Sequence, residues 1–464
     1  LSQGLNFQPG VRVETNCQNC GFQQVRINGL DGPYTQILID SRPVFSALSG
    51  VYGLEQIPAS MIERVEVMRG GGSALFGSSA IAGTINIITK EPLRNSGQLS
   101  HTITSLGGSS SFDNNTSLNA SLVTDDHRAG LYIFGQNRYR SGYDYDGDGF
   151  TELPKLKNQT VGFRSYLKTS TYSKLTFEYH HMQEFRRGGD MLNRPPHEAH
   201  IAEQLQHSID GGSLKFDYFS SDEKNRLSVF ASAANTDRDS YYGPGNDPLK
   251  AYGKTTDLTA MGGAQYVHTF DKCFFMPSDL TAGLEYNRDR LKDNMWGYNR
   301  HTDQTVNIYS AFLQNEWKND RWGILIGGRL DKHNMVDNVI FSPRANLRFN
   351  PTQNINLRLS YSSGFRAPQA FDEDMHIENV GGTVAMIERA KDLKEEKSQS
   401  FSVSADMYHR FGAFQTNLLI EGFYTRLTDV FVLGKPYDRG DGILVKTRSN
   451  GPGAKVMGLT LELS

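Results

Sequence analysis

The chain has only three cysteines and three tryptophans, carries no block of basic residues, and contains no long apolar run. Each shortage removes a class of protein. Cys17 and Cys20 form a Cys-x-x-Cys pair and Cys273 stands alone, too few for a disulfide scaffold. The pair could be a zinc half-site, a redox motif or a local disulfide. A zinc site needs a second pair that is absent and a thioredoxin-like site needs a βαβ context, so in an oxidising compartment the disulfide is the plain reading. No segment approaches the roughly 18 apolar residues of a spanning helix. A net charge of −3 with dispersed Lys and Arg leaves no footprint for nucleic acid. Neither a basic start nor an apolar core at Leu1 marks a secretion signal, so an exported protein is expected to appear here in mature or trimmed form. Gly-x-Ser-x-Gly, His-Glu-x-x-His and phosphate-loop motifs are all missing, and the chain reads as a non-enzyme that requires no cofactor.

What the chain does contain is aromatic residues and alternation. It has 21 Tyr and 26 Phe in 464 residues, material for strand faces and interfacial girdles. Residues 1–92 mix short β-branched strands, such as Val25–Asn28 and Ile37–Asp40, with Gly and Pro turns, and short helical turns are expected at Gln56–Glu63 and Ser73–Phe76. Beyond Pro92 the pattern becomes strands of about ten residues with period two. Leu175, Phe177 and Tyr179 oppose Thr176, Glu178 and His180. Ile355, Leu357, Leu359 and Tyr361 oppose Asn356, Arg358 and Ser360. A soluble sandwich makes the same pattern, but about 370 residues of it exceed the roughly 250 of most sandwiches. A membrane barrel then places the apolar residues toward lipid and the polar ones toward the lumen. Three polar stretches, 185–212, 236–256 and 371–396, read as long loops.

Several motifs, in order, resemble the TonB-dependent outer-membrane receptors. Val25-Arg26-Ile27-Asn28-Gly29 and Ile37 to Pro43 look like consecutive plug elements. Ile62 to Gly72 is similar to the family's "ERVEV-RG" strand, Ser73 to Gly77 to its "SALYG" turn, and Ala82 to Thr89 to its "GGVINIIT" strand. Ser363-Gly364-Phe365-Arg366-Ala367-Pro368 resembles a box found after a barrel strand in many of these receptors. The resemblance implies a mainly β fold: a transmembrane antiparallel barrel at 93–464 with an α+β plug at 1–92 inside its lumen. The family's barrel has about 22 strands, and this length supplies about 16 to 18. With no TonB box before Leu1 and no terminal aromatic after Leu463, the chain is expected to be truncated at both ends. The implied function is binding and active import of a scarce metal chelate, an iron-siderophore, haem or cobalamin, by plug remodelling. The implied partners are TonB, a chelate or tetrapyrrole ligand, outer-membrane lipid and a surface lipoprotein, at the outer membrane of a Gram-negative bacterium.

Within that frame, Glu63, Arg64, Glu66 and Arg69 are candidates for plug–barrel coupling, with Glu66 and Arg69 expected to meet charges on the wall; solvated strand-face charges are the alternative. Arg366 is a ligand-binding candidate by its box. His376 lies where haem receptors place a histidine, although their Asn-Pro-Asp-Leu box reads Ala390-Lys391-Asp392-Leu393 here. His197 and His200, in a segment that also holds His180, His181, His207 and Met191, offer imidazole donors on one face if Pro195-Pro196 starts a helix; otherwise they are polar surface. Asp144, Asp146 and Asp148 repeat the spacing of a calcium loop, and cobalamin receptors of the family use similar aspartates. Position twelve is Lys155, which excludes an EF-hand and leaves either another calcium loop or a turn that binds nothing. Two rival readings remain: a soluble secreted β-rich binding or adhesion protein, and a glycan hydrolase using Glu285 and Asp331.

Overall fold

The computed structural model of the chain describes residues 2–17, 21–42, 57–70, 77, 80–244, 251–380, 383–412 and 414–464. The Cys17–Cys20 pairing and the Ser73–Phe76 turn lie outside the described residues. Five strands precede residue 92: β1 (Val11–Cys17), β2 (Phe22–Ile27), β3 (Thr35–Ile39), β4 (Ile62–Arg69) and β5 (Gly83–Thr89). β1 pairs antiparallel with β2. β5 lies between β3, to which it is parallel, and β4, to which it is antiparallel. A central strand covered on both faces needs apolar residues nearly throughout, and Ile85 and Ile87 of β5 are fully buried against Val25, Ile27, Met61 and Ile81. Gly83 opens this strand because a Cβ there would stand 2.3 Å from the carbonyl oxygen of Met68. A single 3₁₀ turn at Ala59–Met61 occupies part of the expected helical segment.

The rest of the chain builds one large sheet. Its strands are β6 (Ser96–Ser105), β7 (Phe112–Val123), β8 (Ala129–Arg140), β9 (Lys155–Ser170), β10 (Ser173–Gly189), β11 (Ile201–Phe219), β12 (Asn225–Pro244), β13 (Tyr252–Cys273), β14 (Met276–Met295), β15 (Arg300–Lys318), β16 (Trp322–His333), β17 (Ile340–Thr352) and β18 (Ile355–Arg366). The short β19 (Glu378–Val380) and β20 (Thr383–Arg389) precede β21 (Glu396–Phe411) and β22 (Phe414–Thr428). The short β23 (Phe431–Leu433), β24 (Tyr437–Asp438) and β25 (Leu444–Asn450) precede β26 (Ala454–Leu463). The 16 long strands pair antiparallel in sequence order from β6 to β26, and the N-terminal unit is contacted by strands as far apart in that order as β9, β17, β21 and β22. Connections at one end are short, 171–172, 274–275 and 353–354 among them; the other end carries 141–154, 190–200, 367–395 and 429–453.

Side-chain parity along these strands inverts that of a water-soluble protein. Phe177, Tyr179, Leu214, Leu284, Leu313, Leu359 and Leu461 are exposed on the outside, whereas Arg186 and Arg238, on the opposite parity of their strands, are among the largest fully buried side chains. A continuous apolar belt of this extent is unfavourable in water and favourable against lipid. Leu284, 65% exposed in the belt, provides a test. Its replacement by arginine is expected to cost about 2–4 kcal/mol in lipid vesicles, measured by urea unfolding, whereas a soluble sheet would lose almost nothing.

The expected long loops need correction. Most of residues 185–212 and 236–256 belong to β10, β11, β12 and β13, and the connections themselves are only 190–200 and 245–251. Above the belt the outward residues turn polar, as in Asp237, Asp239, Arg288 and Arg290, while the inward ones, Arg238 and Asp289 among them, are polar and buried, so the apolar–polar alternation vanishes without the strand ending. Residues 367–395 and 429–453 do form long connections, and they are joined to each other: β20 runs parallel to β25 from Ala385↔Leu444 to Arg389↔Arg448. Ile377, Met386 and Ile443 from this small sheet pack on Tyr241, Tyr242 and Tyr298 at the mouth.

Candidate functional site

Among the described residues the N-terminal unit meets the wall through three main polar contacts, two of them ionic and one a buried hydrogen bond, beside apolar packing of Tyr132, Phe134 and Leu427 against its core. The first centres on Arg164 of β9. Its guanidinium pairs with Asp40, which follows β3, and lies 3.5 Å from Glu91 and 3.7 Å from Glu178 of β10. Asp40 is held in place by Thr89, whose backbone N–H and hydroxyl both donate to it, at 3.0 and 2.6 Å. Nearby, Arg42 stacks on the Phe230 ring, 4.3 Å from its centroid. The second contact joins Arg69, at the end of β4, to Glu421 of β22 at 2.7 Å, while Arg69 also donates to the carbonyl of Pro9 at 3.0 Å.

The third contact is buried. Tyr34 closes a 3₁₀ turn begun by Gly32-Pro33, and its hydroxyl donates to Glu396 Oε1 at 2.9 Å. The same oxygen accepts the backbone N–H of Phe431 at 2.5 Å, and Arg366 lies 3.8 Å from Oε2. Arg366 in turn pairs with Glu373 at 3.1 Å and stacks 4.1 Å over Phe371. Arg448 of β25 completes the cluster, 2.9 Å from Asp374. Burial, and then the charge of Glu396, raises the Tyr34 pKa well above the usual phenol value, so this hydroxyl remains a donor. One carboxylate with no exposed surface therefore touches the N-terminal unit and the bases of both long connections.

Of the four charges expected to couple plug and wall, Arg69 makes an ion pair across. Glu66 does not meet the wall: it pairs with Arg64 at 2.8 Å and accepts from Asn86 at 3.2 Å, because Asn86 on the neighbouring β5 lies opposite it. Glu63 lines a cavity of about 460 Å³ with Asp40 and Glu178. Arg366 is 4% exposed and committed to the Glu396 cluster. His376 is a half-buried residue packed edge-on against Tyr242, with Nε2 3.6 Å from Glu203. His197 and His200 do not share a face. The 3₁₀ turn stops at Glu198, so His197 bonds to the Tyr252 hydroxyl at 2.9 Å and His200 to Asp190 at 2.6 Å. Asp190 is held below the usual carboxylate range: burial opposes this, but the Ile201 N–H and His200 outweigh it.

Asp144, Asp146 and Asp148 do converge, and Glu152 joins them, with one oxygen of each within 4.8 Å of the others. Their oxygens also accept backbone N–H groups of the loop, Gly147 and Gly149 from Asp144 among them. Glu285 and Asp331 both bind Arg329, at 2.7 and 2.8 Å, which consumes their charge on the inner wall.

Sequence reasoning missed Asp40, Arg164, Tyr34 and Glu396. A signal for Glu396 exists in Glu396, Ser398, Ser400, Ser402 and Ser404, whose period of two marks an inward polar face with one charge at its end. Nothing local marks Tyr34 or Asp40, since their partners are far along the chain.

Residues 88–464 match the TonB dependent receptor-like β-barrel and residues 1–84 the TonB-dependent receptor plug domain. The chain belongs to the TonB-dependent receptors. In this receptor the N-terminal unit is the plug, the 16-stranded sheet is barrel wall, and neither is an enzyme. The receptor is 36% identical over 104 residues to the ferric enterobactin receptor of Pseudomonas aeruginosa, covering 20% of this chain and 14% of that protein. It is 23% identical over 385 residues to the vitamin B12 transporter BtuB of Vibrio vulnificus, covering 79% of this chain and 57% of that protein. The chain thus spans little more than half of that transporter. The siderophore receptor PirA from Acinetobacter baumannii shares the receptor's fold at a TM-score of 0.81 and 19% identity, covering all of this chain and 75% of that one.

Proposed function

We propose that this receptor sits in the outer membrane of a Gram-negative bacterium and imports a ferric siderophore, energised by TonB acting on the plug. The observation that carries the reading is the plug's attachment. An interface of a few ion pairs and hydrogen bonds with only a small apolar contact at Tyr132, Phe134 and Leu427 can be broken and remade, whereas a continuous apolar interface would hold the plug permanently. Siderophore is favoured over haem because His376 is packed against Tyr242 and Glu203, and over cobalamin by the higher identity to a ferric enterobactin receptor. The barrel domain is read as 93–464 and the plug as 1–92. Binding of ferric siderophores, haem and cobalamin to the purified full-length receptor tests this. A ferric siderophore is expected to bind at least about tenfold more tightly than the other two, a difference of about 1.4 kcal/mol, and His376→Ala is expected to leave that affinity unchanged. Tightest binding by haem or cobalamin would replace the cargo.

The convergence of Glu152 with the three aspartates supports calcium in the 144–152 loop, since hard carboxylate oxygens are its preferred donors. Calorimetric titration is expected to give a dissociation constant of about 10⁻⁴–10⁻³ M, as in extracellular calcium modules, and no heat in Asp144→Asn/Asp148→Asn. Equal heats in the two proteins would leave the loop a turn held by its own backbone.

A further inference from the structure

On the inner wall facing plug strand β4, three arginines stand together with no carboxylate in direct contact, Glu316 acting on Arg344 only from a distance. Arg344 and Arg348 lie on β17 and Arg358 on β18, all at inward-facing positions, and Arg348 is directly opposite Arg358 in the strand register. Like charges placed directly across an antiparallel pair destabilise it. Among the described residues none of the three is in an ion pair. Arg348 donates to the Asn319 carbonyl at 3.0 Å, Arg358 to the Asn356 side chain at 2.8 Å, and Arg344 reaches the Met68 sulfur of the plug at 3.9 Å. Arg344 Nη1 and Arg348 Nε are shielded from solvent and bonded to nothing.

These side chains line a cavity of about 410 Å³ between plug and wall, within the size range of small-molecule sites. Among the described residues its carboxylates are Glu316 and Glu421, and Glu421 is occupied by Arg69. Hydroxyls of Ser360, Ser362, Ser400, Ser402 and Ser404 line one side, and apolar side chains such as Leu325 and Phe423 complete the wall. The plug's border here is β4, an edge strand of its three-stranded sheet, so one ladder of hydrogen bonds separates it from release. The cavity lies in the half of the barrel that carries the short connections, away from the long loops. Unpaired guanidiniums with hydroxyls between them suit the oxygens of a multiply charged anion, which would also remove the repulsion between Arg348 and Arg358.

We infer that Arg344, Arg348 and Arg358 form an inner oxyanion site that holds an anionic metal chelate on its way past the displaced β4 edge. The site rests on the chelate-import reading for its cargo, but its anion chemistry can be tested separately. In the purified full-length receptor at low ionic strength, inorganic pyrophosphate is expected to raise the thermal midpoint, and Arg348→Gln/Arg358→Gln is expected to abolish that rise. In cells, with ferric enterobactin as a trianionic probe, the same variant is expected to bind at the surface within about twofold of the unaltered receptor and to import about tenfold more slowly per bound receptor. Arg348→Lys/Arg358→Lys is expected to retain most of the rate. A pyrophosphate response that survives the glutamine variant, or is absent from the unaltered receptor, overturns the oxyanion site. A pyrophosphate response that depends on the arginines, without import of any chelate, keeps the anion site and overturns the import reading instead.

Discussion

Replacing Glu396 by alanine is expected to destabilise the receptor by about 3–5 kcal/mol, the usual cost of removing one partner from a buried ion pair. Three groups lose their acceptor at once: the Tyr34 hydroxyl, the Phe431 N–H and the Arg366 guanidinium. A buried donor left without a partner costs about 1–3 kcal/mol by itself, so the upper half of the range is expected. Glu396→Gln should be milder, because its carbonyl oxygen can still accept from Tyr34 and Phe431 and only the charge opposite Arg366 is lost. Urea unfolding in lipid vesicles measures both. Equal losses for the two variants would mean that charge, and not the three-way hydrogen bonding, holds the junction. Hydrogen exchange would locate the damage: protection should fall in the plug around Tyr34 and also in residues 367–395 and 429–453.

Arg164→Ala is the second large effect, at about 3–5 kcal/mol. Asp40, Glu91 and Glu178 converge on this one guanidinium, and without it three carboxylates repel one another at the plug–wall boundary. Lys174, 3.1 Å from Glu91, and Arg42, which acts on Asp40 and Glu178 from a distance, compensate only in part. Asp40→Asn in the Arg164→Ala background should recover part of the loss, with a coupling energy of about 0.5–3 kcal/mol in a double-mutant cycle. Additive effects of the two substitutions would mean that the pair does not interact. Since Asp40 belongs to the plug and Arg164 to the wall, protease nicking of the plug is expected to rise in step with the stability lost.

How much of this was legible depended on whether a signal was local. The period-two alternation of Leu175, Phe177 and Tyr179 is a property of consecutive residues, and it gave both the strand and its lipid-facing side. The plug strands were equally readable, since β5 carries the sequence of a doubly covered strand. Where both faces of a strand carry polar residues, as along β12 beyond Asn235 with Thr236, Arg238 and Ser240 buried inside and Asp237 and Asp239 outside, the alternation disappears and the pattern reads as a loop. Charges were harder. Arg69 meets Glu421 across 352 positions of chain, and the sequence pointed to Arg69 only through its motif. Glu66 stands in the same motif and stays within the plug, because its partners are Arg64 on its own strand and Asn86 on the adjoining one. Arg164 and Glu91 lie in no motif, and the motif that holds Asp40 says nothing of its partner, so their meeting could be seen only in three dimensions.

The parallel pairing of β20 with β25 alters how the mouth of the receptor should be counted. Two connections that are separate in the gene are one mechanical part, because lifting either breaks a shared ladder and disturbs the cluster formed by Arg448, Asp374 and Arg366. Deleting residues 367–395 and deleting 429–453 would then yield the same phenotype twice, and genetic dissection of the mouth loop by loop would find one fewer moving piece than it cuts.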